Sequence, residues 1–250
     1  MFYSIIVYTL TFAISLTCIF LYKKIEKGKL ERLFCLIGII LPPILLSTFR
    51  YGIGVDYHTY VSNYNYFSNQ FSFKSIFCSY QEPFSVILYF LAKIIFSNSI
   101  GFFLLSILIT IVFTFLGIKN YKERISMPLA LFIYYMFYYQ ISYNAVRQCI
   151  AVAIVFFAYK YVIERKPIKY IIFITIAGLF HKTAFLCLLF YFLGSKEENK
   201  RSKIIDRVLF IGVVLSPIIV PLLMRFIPGL MKILGIFTSY ANKPVRRISM

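Results

Sequence analysis

Charge is what this sequence has least of. Asp, Glu, Lys and Arg make up 14% of the 250 residues, where a soluble domain carries about a quarter. That shortage excludes an ordinary water-soluble globule, and it accompanies 60% hydrophobic residues and a mean hydropathy of +0.81. Paired cysteines are missing as well. Cys18, Cys35, Cys78, Cys149 and Cys187 are scattered without a C-x-x-C pair, so neither a disulfide framework nor a zinc site is expected. The first apolar run, residues 1–22, lacks a basic leader and a small-residue cleavage site. It reads as a retained span, not a signal peptide. No repeat or low-complexity linker divides the chain, so residues 1–250 are expected to form a single transmembrane domain. Tryptophan is absent while Lys, Ile, Phe, Tyr and Asn abound; this reads as coding bias and carries no functional weight.

What is present is a series of apolar runs approaching the roughly 20 residues that cross a hydrocarbon core of about 30 Å. The net charge of +18 does not imply nucleic acid, because 16 of the 27 Lys and Arg collect in four connectors, 23–32, 119–124, 164–169 and 196–207. Such clusters mark cytoplasmic loops. Placing all four inside predicts spans over 1–22, 33–49, 100–118, 126–141, 146–163 and 208–224, with a tail over 225–250. Pro42, Pro43, Pro217 and Pro221 should kink their helices.

Two further segments preserve this parity. Residues 83–97 reach only about 22 Å at 1.5 Å per residue, and Ser85, Tyr89, Lys93 and Ser97 give them a polar stripe. They read as an interfacial or re-entrant helix within an outer segment spanning 50–99. Residues 170–194 are interrupted by His181 and Lys182. Ionisable groups at membrane depth are costly, and broken helices line cavities, so two half-helices turning at this pair are predicted. The expected fold is all-α: a polytopic integral membrane protein of about eight membrane helices.

This threading brings Arg50, Asp56, Glu82, Arg147 and His181 to the outer face. Each also has a structural explanation. The arginines can snorkel to head groups, Asp56 can be a turn residue, and Glu82 before Pro83 can favour a helix start, capping being the better reading for that residue taken alone. His181 is harder to explain structurally, because a His–Lys pair breaking an apolar run needs compensation. His58 reads as a loop residue. The "GIGVDY" stretch lacks a preceding strand and the third glycine of a dinucleotide fingerprint, so that reading is rejected. The interleaved tyrosines, Tyr57 and Tyr60 among them, fit a membrane-interface belt or a sugar-stacking platform.

Two arginines in an outer cavity suit a diphosphate, which guanidinium binds as an always-charged fork. A carboxylate or histidine beside them can take a proton from an attacking hydroxyl. No D-x-D pair stands in the outer segments, which argues against metal-dependent glycosyl transfer.

The ordered set "FRYGIGVDYHTY", "EPF", "NAVRQCIAVAI" and "FHKTA" resembles the EpsG family of Wzy-like polysaccharide polymerases over about residues 1–240. The resemblance implies a fold similar to other lipid-dependent membrane glycosyltransferases. It implies an enzyme of the cell membrane that joins repeat units carried on undecaprenyl diphosphate into exopolysaccharide or capsule, beside other polysaccharide-assembly proteins. Family members commonly run longer, with further spans beyond the position where this chain stops. The candidate site comprises His181, Asp56 and Glu82 for catalysis, with the base open between His181 and Asp56. Arg50, Arg147, Gln148 and Lys182 are the candidates for diphosphate, and Tyr57 and Tyr60 for sugar. No metal, cofactor or nucleic acid is expected. A flippase or transporter of a lipid-linked or anionic substrate is the competing reading, and an inactive shortened family member the third.

Overall fold

A computed structural model describes residues 2–25, 28–70, 72, 76 and 81–193. The predicted span 208–224, the basic connector 196–207 and the tail 225–250 lie outside the described residues. So does Cys78; the four described cysteines are free thiols.

The chain opens with α1 (Phe2–Lys24) and α2 (Lys29–Thr48). In lipid the hydrophobic effect does not drive helices together, so packing and polar contacts must do so. On α1 the buried residues are Phe12, Ser15, Ile19 and Tyr22, a narrow stripe at helical spacing flanked by the partly buried Tyr8, Leu16 and Cys18; most of its other apolar surface faces outward. Pro43 inside α2 has no N–H to give Ile39. The freed Ile39 carbonyl instead accepts from Ser15 Oγ at 2.7 Å and Tyr135 Oη at 3.3 Å. Tyr139 Oη donates to the Pro43 carbonyl. The carbonyl freed by Pro43 is therefore satisfied by hydroxyls from other helices.

A turn follows in which Gly52 (φ 66°) and Gly54 (φ 106°) take left-handed backbone conformations, which side chains resist. The glycines of "GIGVDY" serve this turn. It leads into α3 (Tyr57–Asn69), where the sequence reading had no helix. Tyr57, Tyr60, Asn63, Tyr64, Phe67 and Ser68 are its buried face. Next come α4 (Pro83–Phe96), close to the predicted short helix, and α5 (Ser99–Asn120), the most buried of the long helices. The first half of the polar stripe of α4 turns toward protein, Ser85 and Tyr89 being buried, while Lys93 and Ser97 are exposed, as are Ile94 and Ile95. Lys93 Nζ donates to Asn69 Oδ1 at 2.6 Å and to the Ser68 carbonyl at 3.3 Å, clamping α4 to the carbonyl end of α3, where a cation is favoured.

Helix α6 (Met127–Ile133) runs into a π turn over Tyr134–Tyr138, closed by Tyr139 N–H on the Tyr134 carbonyl at 2.9 Å. Together they form an apolar helix over Met127–Tyr138, shorter than the predicted span 126–141. A 3₁₀ turn over Ile141–Tyr143 precedes α7 (Val146–Ala158), and α8 (Lys160–Ile163) prolongs α7 as a single candidate span, Val146–Ile163.

Helix α9 (Pro167–Phe180) stops at His181, whose φ of −156° is extended. A 3₁₀ stretch (Lys182–Leu188) and α10 (Leu189–Leu193) then double back along α9. Tyr170 Oη donates to the Cys187 carbonyl at 2.6 Å, and the Tyr170 and Tyr191 rings stack at 5.9 Å. The predicted reversal at His181 is thus present, with 3₁₀ geometry in its return arm.

Every described element is helix or turn, and four helices are long and apolar enough to cross a bilayer: Tyr3–Lys24, Lys29–Thr48, Ser99–Asn120 and Val146–Ile163. The shorter apolar helices are Pro83–Phe96, Met127–Tyr138, Pro167–Phe180 and Lys182–Tyr191. Contacts between helix ends sort the bundle into two poles. Arg50, Tyr143, Val146, Glu82 and His181 meet at one. Asn120 reaches the Phe157 carbonyl and Arg165 the Tyr191 carbonyl at the other, which carries the described basic connectors 119–124 and 164–169.

Candidate functional site

Three of the five predicted polar positions share one contact point. Glu82 stands immediately before α4 in the extended conformation that a following proline favours (φ −68°, ψ 143°). Its side chain makes no capping bond, contrary to the reading preferred for this residue alone. The carboxylate turns instead to α7 and α9. Arg147 Nη1 donates to Glu82 Oε2, and His181 Nδ1 lies 3.3 Å from Glu82 Oε1, near enough for an ion pair but without hydrogen-bond alignment. Glu82 is 7% exposed; the Arg147 and His181 side chains are 28% and 27% exposed.

Helix ends explain why a carboxylate belongs here. Glu82 opens α4, and Arg147 lies in the first turn of α7, so the acid lies at one partly positive helix end and is bonded to a cation at another. Arg147 is unfavourably placed for its own helix dipole, and Glu82 offsets this. His181 caps the carbonyl end of α9, its backbone N–H donating to the Ala177 carbonyl at 2.9 Å.

Tyr60 holds the start of α7 in place. Its Oη donates to the Asn144 carbonyl at 2.7 Å and accepts from Val146 N–H at 3.1 Å. Burial pushes the Tyr60 phenol above its ordinary range, opposed by the Arg147 charge, so the proton stays on the oxygen that must donate it. Sequence reasoning had offered Tyr57 and Tyr60 to a sugar. Both are 6% exposed and stack on Phe103 at 5.1 Å and Phe102 at 5.7 Å, so their rings pack α3 onto α5. The helical spacing of the tyrosines was the one available signal. Tyr60→Phe is expected to leave Val146 N–H and the Asn144 carbonyl without this partner and to cost about 1–3 kcal/mol. Thermal unfolding of the purified chain measures it.

None of the remaining predicted residues bonds to Glu82 among the described contacts. Asp56 is half-buried ahead of α3, with no side-chain cap bond and no ion pair among the described residues. Gln148 and Lys182 are exposed beside Arg147 and His181. His58 is exposed and edges onto Tyr57 at 5.3 Å. Arg50 is 5% exposed, between the Phe103 ring at 4.7 Å and the Tyr143 ring at 4.2 Å. Burial lowers its pKa from the ordinary guanidinium value.

His181 and Gln148 also line the polar end of a trough of about 350 Å³ between α7 and the return arm of α9. Its walls are apolar, including Ala151, Val155 and Phe190. Among the described residues no three His, Cys, Asp or Glu side chains gather as metal ligands. The cluster can orient an imidazole and present a partly exposed guanidinium beside an apolar channel.

Long apolar helices with a charged cluster gathered at one pole define a multi-pass helical membrane protein. The model of the EpsG family matches residues 31–249, and the chain belongs to that family. No curated protein and no solved structure matches it.

Proposed function

We propose that this protein is a polymerase-type glycosyltransferase that moves a growing glycan from its lipid diphosphate to the hydroxyl of an incoming lipid-linked unit. The observation that carries this reading is the Glu82 carboxylate shared by Arg147 and His181 at the polar end of an apolar trough. Family membership supports the polymerase class, and undecaprenyl diphosphate is the carrier that class implies.

Each group has a role in the transfer. The Glu82 carboxylate, 3.3 Å from His181 Nδ1, favours the tautomer with its proton on Nδ1, and a small turn of the ring would complete that bond, leaving Nε2 with a free lone pair. The acceptor hydroxyl oxygen attacks the anomeric carbon of the donor glycan, and its proton passes to Nε2. The new glycosidic C–O bond forms as the bond from that carbon to the diphosphate oxygen breaks. The lipid diphosphate departs with the electron pair, its charge met by Arg147, which spends only part of its donor fork on Glu82, and by Lys182. Gln148 supplies a neutral donor beside them, and the lipid chain runs along the trough. With the basic connectors inside, the cluster faces the outer leaflet of the cell membrane. Neither Arg50 nor Asp56 is needed for these steps.

Reconstitution in liposomes tests the reading against a flippase. With lipid-linked oligosaccharide as sole substrate, the expected products are longer glycans on lipid, without transbilayer movement of the unreacted unit. Movement without new glycosidic bonds would overturn the polymerase assignment.

A further inference from the structure

Arg50 poses a problem that the transfer chemistry does not absorb. Its guanidinium is 5% exposed, and its Nε and Nη1 are buried without a hydrogen-bond partner. Among the described residues no carboxylate pairs with it. The Phe103 and Tyr143 rings, at 4.7 and 4.2 Å, compensate part of its charge through their faces. A ring face is no hydrogen-bond acceptor for N–H groups lying elsewhere around the guanidinium plane, and a buried cation left unpaired is among the costlier arrangements in a folded chain.

The surroundings supply further polarity. Arg50 lines a cavity of about 10 Å³ with Ser47, Ser106, Thr110 and Ser142. Ser142 Oγ donates to the Tyr139 carbonyl, and Thr110 Oγ1 donates to the Ser106 carbonyl at 2.9 Å, so both hydroxyl protons are spent. Ser106 Oγ is buried without a partner, so its proton is free. The fully buried groups without a partner at this cavity are donors, two from a cation and one from the Ser106 hydroxyl, and Ser47 lines it as well. Donors converging without a negative acceptor form the chemistry of an anion site. Its size sets the class. About 10 Å³ is roughly the room of one water-sized particle, far too little for a phosphate, a carboxylate or a diphosphate; a chloride, somewhat larger than water, enters only with a slight outward shift of the lining side chains.

We propose that Arg50, with Ser106, binds a single monatomic anion, chloride, at the junction of α2, α5 and the turn before α7. The ion supplies the counter-charge that the protein omits. It ties the end of α2 to α5 and to the segment preceding Arg147. The proposal stands apart from the polymerase reading, because its readout is stability and not glycan synthesis.

The test uses the full chain, purified in detergent, with thermal unfolding followed as sodium gluconate is replaced by sodium chloride at constant ionic strength. A saturable rise in Tm is expected, roughly 5 °C at about a hundredfold excess over the dissociation constant. Bromide should reproduce it, whereas sulfate and phosphate should not. Ser106→Ala should keep the response but need about tenfold more chloride, through loss of one donor to a charged partner. Arg50→Gln should melt at a temperature independent of halide; if it does not fold, Ser106→Ala still decides. A wild-type Tm indifferent to halide would mean that only water occupies the cavity and would overturn the proposal. So would a halide response unchanged in Ser106→Ala, which would place the ion elsewhere.

Discussion

Replacing His181 by alanine is expected to lower polymer formation by about 10²–10⁴-fold, the range for loss of a positioned general base, while leaving folded protein in the membrane. The structure separates these two effects. The imidazole is 27% exposed and lines the trough, so its removal opens no sealed core cavity. The bond between Arg147 and Glu82 does not pass through it. Stability should therefore change little while turnover collapses. The comparison that gives the result its meaning is Asp56→Asn. Sequence reasoning left His181 and Asp56 as rival bases, and only His181 reaches the Glu82 cluster. Asp56→Asn should retain most activity. Gel profiles of glycan length, normalised to protein level, measure both. Full-length polymer from His181→Ala, or its loss from Asp56→Asn alone, would move the base to the other residue.

How much of this site could be read in advance follows from the physics of each part. The long helices were legible because lipid demands length and hydropathy together, and both are written locally. The reversal at His181 was legible because a His–Lys pair inside an apolar run has few tolerable placements. The meeting of Glu82, Arg147 and His181 at one pole followed from charge parity in the connectors, which needs no knowledge of packing. What stayed hidden depended on partners far along the chain. Helix α3 is polar and tyrosine-rich, and its buried stripe is explained by Phe102 and Phe103 of α5, Tyr89 of α4 and the Tyr60 bonds at the start of α7. The carbonyl freed by Pro43 finds Tyr135, 96 residues away from Ile39. Glu82 has the right sequence for a cap, yet side-chain direction is decided by Arg147 and not by the adjacent proline. Arg50 at the end of an apolar run has the local sequence of a snorkelling cation, and only the rings of Phe103 and Tyr143 show that it is buried.

Glu82 should give the largest combined effect, because one carboxylate serves both structure and chemistry. Glu82→Leu leaves Arg147 beside an apolar side chain at a position now 7% exposed, and breaking a buried pair in this way costs about 3–5 kcal/mol. Arg147 keeps 28% of its side-chain surface exposed, so water recovers some of that, and the expected loss lies toward the lower end. Polymer should disappear in the same variant, since His181 loses the neighbouring charge that favours its Nδ1–H tautomer. One variant cannot say whether activity fell because the protein loosened or because the chemistry stopped. The pair of substitutions can. Glu82→Leu combined with Arg147→Met removes both charges, and apolar pairs of similar volume replace buried ion pairs with little or no penalty. The double variant is therefore expected to regain most of the lost thermal stability and none of the polymer. The difference between the double and the summed single changes gives the coupling energy of the pair. Should the stable double variant still build long chains, neither charge would be part of the chemistry, and the cluster would be only a clamp between α4 and α7.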